Sequence, residues 1–178
     1  MTIKPWREID SKELLKSRIF TVNQSLSRSD LSGKESNFVQ LDCPDWVNIV
    51  VLTEDEQVLM IRQWRHGTKE ICLEIPGGMV DPDESPLEAA RRELLEETGC
   101  EAESWQQIGM VKPNPAFQTN RCFSFLAKGA KKVAEQDPDE NEEIEVLKMD
   151  LDSIPERIAS GEIQHALVIC AFFFAQMK

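Results

Sequence analysis

The chain reads as an α+β protein: a mixed sheet covered by helices in an α/β/α sandwich, preceded by a small antiparallel β extension. Three observations lead there. Short apolar runs rich in β-branched residues recur from Trp46 onward. A sharply bounded helix follows the Pro76-Gly77-Gly78 break, and two more helical segments close the chain. Strands and helices do not alternate regularly, and Gly77-Gly78 is not part of a G-x-G-x-x-G, so a dinucleotide-binding βαβ fold is excluded.

Taken in order, residues 1–45 are mixed and polar, with strands expected at 18–22 and 37–41 across a Ser/Asp/Gly turn region; they form the extension, and residues 46–178 form the main domain. Residues 46–53 are apolar and β-branched, a buried strand; 54–57 are a turn, and 58–64 return. A short strand at 71–75 stops at Pro76. Ser85 then caps a helix with Pro86 in the first helical position and Glu88 three residues after the cap, and Gly99 ends it. Strands are expected at 107–111, 122–127 and 144–149, a short helix at 153–160 closed by Gly161, and a last helix at 165–177.

The composition narrows the function. In 178 residues, 41% are hydrophobic and 29% charged, an ordinary globular balance. A net charge of −12 without a basic patch argues against nucleic acid as a partner, whereas a phosphate-bearing small molecule remains compatible if divalent cations bridge the two. Five cysteines without a C-x-x-C read as reduced thiols in a cytoplasmic protein, and two histidines are too few for a histidine-rich metal site. The N-terminus lacks a signal-peptide core, and the longest apolar run, residues 166–175, is too short to span a membrane.

The helix carries the chemistry. At roughly 100° per residue, Leu87, Ala90, Leu94 and Leu95 share an apolar face, while Glu93, Glu96 and Glu97 gather away from it. Three carboxylates so close repel one another, and clustered oxygens suit a hard cation such as Mg2+ or Mn2+. A solvated acidic face, with Arg91 and Arg92 as ordinary pairing partners, is the plainer alternative for the helix alone.

The wider spacing adds to this. Gly78, five residues, Glu84, seven residues, then Arg92-Glu93-Leu94-Leu95-Glu96-Glu97-Thr98-Gly99-Cys100 resembles the box of the Nudix hydrolases, G-x5-E-x7-R-E-U-x-E-E-x-G-U. Cys100 in place of a bulky final aliphatic is the one departure. The resemblance implies a Nudix-type α/β/α sandwich that hydrolyses a pyrophosphate joined to a nucleoside. By position, Glu93 and Glu97 would be the main metal ligands, Glu96 and the Gly77 carbonyl further ones, Arg92 would orient the carboxylates, and Glu84 would lie outside the primary ligands or among the substrate contacts.

Ile61-Arg-Gln-Trp-Arg-His-Gly67 followed by Leu73-Glu-Ile-Pro-Gly-Gly78 is similar to the ADP-ribose pyrophosphatase branch, with Trp64 in place of its tyrosine. The resemblance implies a nucleoside diphosphate sugar as substrate and a homodimer formed through the N-terminal sheet. Residues 139–146 resemble that branch's acidic loop, with Glu142 the first and Glu140 the second candidate for general base or extra metal ligand; a solvated loop is the alternative. Arg65 is a candidate to hold a substrate phosphate, or else a surface ion pair. Trp6 is a candidate to stack on adenine, or else a packing residue. After Pro115 the chain reads Ala116-Phe-Gln-Thr-Asn-Arg121, unlike the glycine- and acid-containing loop of the best-known members, which leaves other sugar nucleotides open. A nucleotide sensor of the same fold is the contrasting reading; such members usually lose box glutamates, and this chain keeps them.

Overall fold

The computed structural model describes residues 2–139 and 141–177. In chain order its elements are β1 (Trp6–Lys16), β2 (Thr21–Ser29), β3 (Glu35–Asp42), β4 (Trp46–Thr53), β5 (Gln57–Arg65), β6 (Glu70–Glu74), β7 (Gly77–Met79), α1 (Pro86–Thr98), β8 (Cys100–Glu101), β9 (Ser104–Val111), β10 (Cys122–Lys132), β11 (Ile144–Asp150), α2 (Ile154–Ser160) and α3 (Ala166–Gln176). They group into two compact units: one of residues up to Pro44 with Lys112–Arg121, the other of Asp45–Val111 with the residues from Cys122 onward.

The first unit is a three-stranded antiparallel sheet in the order β1-β2-β3. The sequence pointed to a strand at 18–22, but pairing begins only at Thr21, because Ser17 and Phe20 close the preceding turn: the Ser17 N–H and hydroxyl both donate to the Phe20 carbonyl, at 2.9 and 2.8 Å. β1 itself was not legible. Register shifts at Glu8/Asp10 and Glu13/Leu15 break its period of two. Lys112–Arg121, assigned from sequence to the main domain, clusters with this sheet instead. The Leu41 N–H donates to the Phe117 carbonyl at 2.7 Å, and Thr119 N–H to that of Leu41 at 3.1 Å.

The second unit is an eight-stranded mixed sheet with the path β11-β5-β4-β10-β8; β6 pairs with β5, β7 with β4 and β9 with β10. Among the described residues, only β4 and β10 run parallel within it. Alternation along β4 builds two cores. Val47, Ile49 and Val51 pack with Ala89, Ala90 and Leu94 of α1, while Val50 packs with Val168, Ala171 and Phe172 of α3 and Ile154 of α2. The sheet is therefore covered by α1 on one face and by α2 and α3 on the other, the sandwich expected from the sequence.

One irregularity sets up the site. β4 pairs with β5 only at Val51–Leu59 and Leu52–Val58, after which β5 takes β6 as its neighbour and β4 takes β7. The sheet splits there, and the chain linking β6 to β7, Ile75-Pro76, sits at the split with the Pro76 carbonyl accepting from the Ile49 N–H at 2.9 Å. Beside it stands α1, whose ends match their sequence signals. Ser85 and Glu88 form the capping box, and Gly99 adopts φ +67° as the C-terminal stop.

Gly99 has no room for a side chain, since a Cβ would meet the Ala134 carbonyl oxygen. Gly99→Ala should therefore cost more than about 1–2 kcal/mol, combining left-handed strain with a backbone collision. Ser85→Ala should cost about 1 kcal/mol for the lost cap. Urea midpoints followed by circular dichroism check the order; an equal cost would remove the collision.

Candidate active site

β7 lies against the β4 backbone on one side and the Glu93 carboxylate of α1 on the other, and it carries two successive glycines. A Cβ at Gly77 would strike the Val47 carbonyl oxygen on the sheet side, and one at Gly78 would strike the Glu93 carboxylate on the helix side. The Gly77 N–H donates to Glu97 Oε2 at 2.9 Å. The strand backbone is thus the floor on which both carboxylates lie.

Arg92 holds the cluster together, and each of its five N–H groups has a partner. Nε and Nη2 donate to Glu84 at 3.3 and 2.6 Å, Nη2 also to the Met79 carbonyl at 3.0 Å, and Nη1 to Glu93 Oε1 and Glu96 Oε2 at 2.9 Å each. The planar fork suits this divided task better than an ammonium could. Glu84 is engaged from two sides, since its Oε1 also accepts from the Asp81 N–H at 2.9 Å. The structure thus brings Glu84 to Arg92, as an anchor for the arginine. Its carboxyl pKa is lowered, first by the Arg92 hydrogen bond.

The three glutamates differ sharply in environment. The sequence placed all of them away from the packed face of α1, yet Glu97 is only 2% exposed and belongs to the buried stripe with Ala90 and Leu94. Ala89 and Ala90 are the reason: their small side chains let the helix lie close to the sheet, which carries Glu97 inside. Leu87 and Leu95, expected in the core, are only partly buried. The Glu93 side chain is 13% exposed and that of Glu96 40%. Burial pushes the Glu97 carboxyl well above its usual range, and the charges of Glu93 and Glu142 push the same way. Burial likewise raises Glu93 to about 7 despite the opposing Arg92 charge, with Glu96 and Glu142 adding to the rise.

Glu142, whose charge acts on both Glu93 and Glu97, lies on an exposed turn closed by its own N–H to the Asp139 carbonyl at 2.8 Å. Glu140 lies outside the described residues. Glu135 points elsewhere, 3.2 Å from the Lys132 ammonium and almost fully exposed. Arg65 is an ion-pair residue in this structure: Nε and Nη2 lie 2.8 and 2.7 Å from the two oxygens of buried Glu74. It is nevertheless near enough to Glu97 for each to influence the other's ionisation. Trp6, in the first unit, is 44% exposed and packs edge-on against Phe38 at 5.3 Å.

The donors fit a hard cation in kind. Glu93 and Glu97 are buried carboxylates that repel each other, and the glycine backbone lies against them. Among the described residues, however, no three acidic or thiol or imidazole side chains are gathered as a ready-made ligand cage. Glu93 and Glu96 are instead shared with Arg92.

Two contributors were missed from sequence. Gln136 Nε2 donates to the Glu97 carbonyl at 2.5 Å and to that of Ile144 at 3.3 Å, while the Asp137 N–H reaches the Glu96 carbonyl at 2.9 Å. These bonds tie the segment leading to Glu142 onto the end of α1, and no sequence pattern signals them. Glu74 did carry a signal, a lone acid within an apolar strand. Burial alone would raise its carboxyl, but the Arg65 hydrogen bonds, with Arg65 and His165 close by, outweigh that and hold it at about 2.

These shifts have opposite consequences for stability. Between the ordinary carboxyl value of 4.5 and about 7, folded Glu93 binds a proton that the unfolded chain does not. Metal-free protein should therefore grow more stable as pH falls through that window, and a divalent cation, which needs the ionised carboxylates, should stabilise the fold more at about pH 8 than at about pH 5.5. The Glu74 contribution is complete above 4.5 and is lost as pH falls towards about 2. Melting temperatures with Mg2+ or EDTA across pH test this; a cation effect independent of pH would mean that Glu93 does not titrate as stated.

Comparison with known proteins agrees with this geometry. The NUDIX domain family model matches residues 44–171. An ADP-ribose pyrophosphatase of Bacillus subtilis is 27% identical over 177 residues, covering 97% of this chain and 96% of its own. A GDP-mannose pyrophosphatase of Cronobacter sakazakii is 27% identical over 183 residues, covering 93% and 95%. A crystal structure described as an ADP compounds hydrolase superposes with a TM-score of 0.87 over 99% of this chain and 95% of that one, at 22% identity, which speaks for the fold alone. The β7–α1 carboxylate site lies inside the matched span, and the chain accordingly belongs to the Nudix family as a pyrophosphohydrolase.

Proposed function

We propose that the protein hydrolyses the pyrophosphate bond of ADP-ribose or a related nucleoside diphosphate sugar, giving AMP, or the corresponding nucleoside monophosphate, and a sugar phosphate. The observation that carries this is the packing of Glu93 and Glu97 against the β7 backbone, where the charge of Glu142 acts on both. Buried like charges of this kind call for a cation. Glu93, Glu97, Glu96 and the Gly77 carbonyl would hold Mg2+ or Mn2+, which when bound supplies charge neutralisation for the pyrophosphate and acidifies water. In the reaction a water oxygen bonds to one phosphorus as the bridging P–O bond breaks. Glu142, on the solvent side, accepts the water's proton, with Glu140 as the second candidate. Arg92 keeps Glu93 and Glu96 in place, and Arg65 binds a substrate phosphate.

The choice of sugar nucleotide rests on the names of the relatives, one acting on ADP-ribose and another on GDP-mannose. A panel of ADP-ribose, ADP-glucose, GDP-mannose, NADH, diadenosine polyphosphates and nucleoside triphosphates, with Mg2+ or EDTA, separates them by phosphate released with added phosphatase. Metal-dependent preference for a nucleoside diphosphate sugar is expected; preference for a nucleoside triphosphate would overturn the assignment.

A homodimer through the first unit belongs to the same reading. All eleven residues of β1 are exposed, and Trp6, Ile9, Leu14 and Leu15 lie on this edge strand. An exposed edge carrying large apolar side chains needs a partner. Trp6, with much of its surface open, is the candidate to stack on the nucleobase. Light scattering should give twice the chain mass, and Leu14→Glu with Leu15→Glu should give the monomer; a wild-type monomer would remove the dimer.

Glu97→Gln should leave the fold intact, since a neutral side chain suits a buried site, and should lower turnover by roughly 10²–10⁴-fold. Glu142→Gln should reduce turnover far more than Glu135→Gln. Equal effects of the last two would reduce the loop to a solvated surface.

A further inference from the structure

Glu74 is the most deeply buried acid outside the α1 cluster, at 3% exposure, and nothing in the hydrolysis just described uses it. It stands at the end of β6, where the sheet splits, opposite Ile61. Arg65 is opposite Glu70, four residues further along the ladder. Ile61, Gln63 and Arg65 share a face of β5 with Glu70, Cys72 and Glu74 of β6. To reach Glu74 the arginine must therefore run back along that face past the Gln63–Cys72 pair, and it meets both carboxylate oxygens with Nε and Nη2. The fork is bidentate and leaves Nη1 as the nitrogen not given to Glu74. From the other side, His165 Nδ1 at the start of α3 lies 3.0 Å from Glu74 Oε2. The ring nitrogen is at close-contact distance but is not aligned for a hydrogen bond, so it packs against the carboxylate.

A pair placed only for stability is a poor explanation for this arrangement. The pair does stabilise the ionised Glu74, but an apolar residue at the end of an apolar strand would serve the fold as well without burying a carboxylate at all. What the arrangement does achieve is to fix a long, rotamer-rich side chain in one place. Its anchor, Glu74, is three residues before Gly77, whose N–H holds Glu97 Oε2 at 2.9 Å, and the Glu97 carboxyl feels the Arg65 charge.

We infer that Glu74, braced by His165, is a positioning residue that locks the Arg65 guanidinium beside the carboxylate site so that its free edge receives a substrate phosphate. The inference rests on the reading of Arg65 as a phosphate contact. Glu74 and His165 touch no substrate; they act through the arginine. Without them Arg65 samples many rotamers, and the cost of ordering it falls on each binding event. Substrate binding is what weakens, while bond cleavage by the carboxylates continues.

The test is a mutant cycle of wild type, Arg65→Ala, Glu74→Gln and the double variant, with His165→Gln alongside. Two readouts are taken: KM and kcat for the nucleoside diphosphate sugar cleaved fastest in the panel, and calorimetric binding of ADP-ribose in EDTA. Arg65→Ala and Glu74→Gln should each raise KM about tenfold, with kcat changed less than about threefold. The double variant should be no worse than Arg65→Ala alone, because Glu74 has nothing left to position. His165→Gln should move KM the same way by less. If Glu74→Gln does not fold, the cycle of His165→Gln with Arg65→Ala carries the same comparison.

Additive losses in the double variant, or a melting-temperature drop without a change in KM or Kd, would overturn the inference and leave Glu74 a structural residue. No effect of Arg65→Ala on either readout would overturn it too, while wild-type cleavage would still uphold the hydrolysis reading. Wild type that binds but does not cleave would count against hydrolysis, and the binding cycle would still decide the role of Glu74. Wild type that neither binds nor cleaves would overturn both.

Discussion

The structure depends on one unfavourable interaction made tolerable, the burial of Glu93 and Glu97 on the same floor of strand backbone. Each feature around them relieves or exploits that proximity. Glycines at 77 and 78 supply the floor because nothing larger fits. Alanines at 89 and 90 let α1 settle onto the sheet. Arg92 spends four of its five N–H groups on Glu84, Glu93 and Glu96 and the fifth on the Met79 carbonyl. The sheet splits at this point instead of continuing flat, which makes room for the Ile75-Pro76 link and brings Glu74 and Arg65 to the same neighbourhood. A more regular sheet would pack better and would have no place for the chemistry.

The elements that sequence could read are those whose signals are local. Ser85, Pro86, Glu88 and Gly99 each dictate backbone geometry within one helical turn, and α1 begins and ends where they stand. β4 declares itself by a largely apolar run, interrupted only at Asn48 before Thr53, because both its faces are covered. β1 failed to declare itself for the opposite reason: it is exposed along its whole length and twice slips register, so no burial imprints a pattern on its residues. The two-residue β8 and three-residue β7 are too short to show a period at all.

The site followed the same division. The spacing from Gly78 to Gly99 singled out carboxylates and an arginine that the structure brings together, since one helix and its entry loop hold them all. Their environments were not legible, because the fate of Glu97 is settled by how closely α1 approaches β4 and β7. Contacts made across long stretches of chain were invisible: Gln136 to the Glu97 carbonyl, and Glu74 to both Arg65 and His165. Arg65 shows the cost of reading residues singly. Sequence offered a phosphate contact or an ion pair as alternatives, and the structure shows the ion pair in a position from which a free edge remains.

The last turn of α1 carries Glu96 and Glu97 and no basic residue. Peptide dipoles aligned along a helix leave about half a negative charge at its C-terminal end, where lysine or arginine is the usual complement. Here the helix turns that end, already negative, towards its own acids. As an isolated segment α1 would be poorly made. Within the protein the same field would add to the pull on a cation held there, and the backbone itself would then take part in metal affinity. Fraying of that turn would loosen the ion as well as the fold, and the straps from Gln136 and Asp137, which accept the duty of capping the final carbonyls, guard both at once.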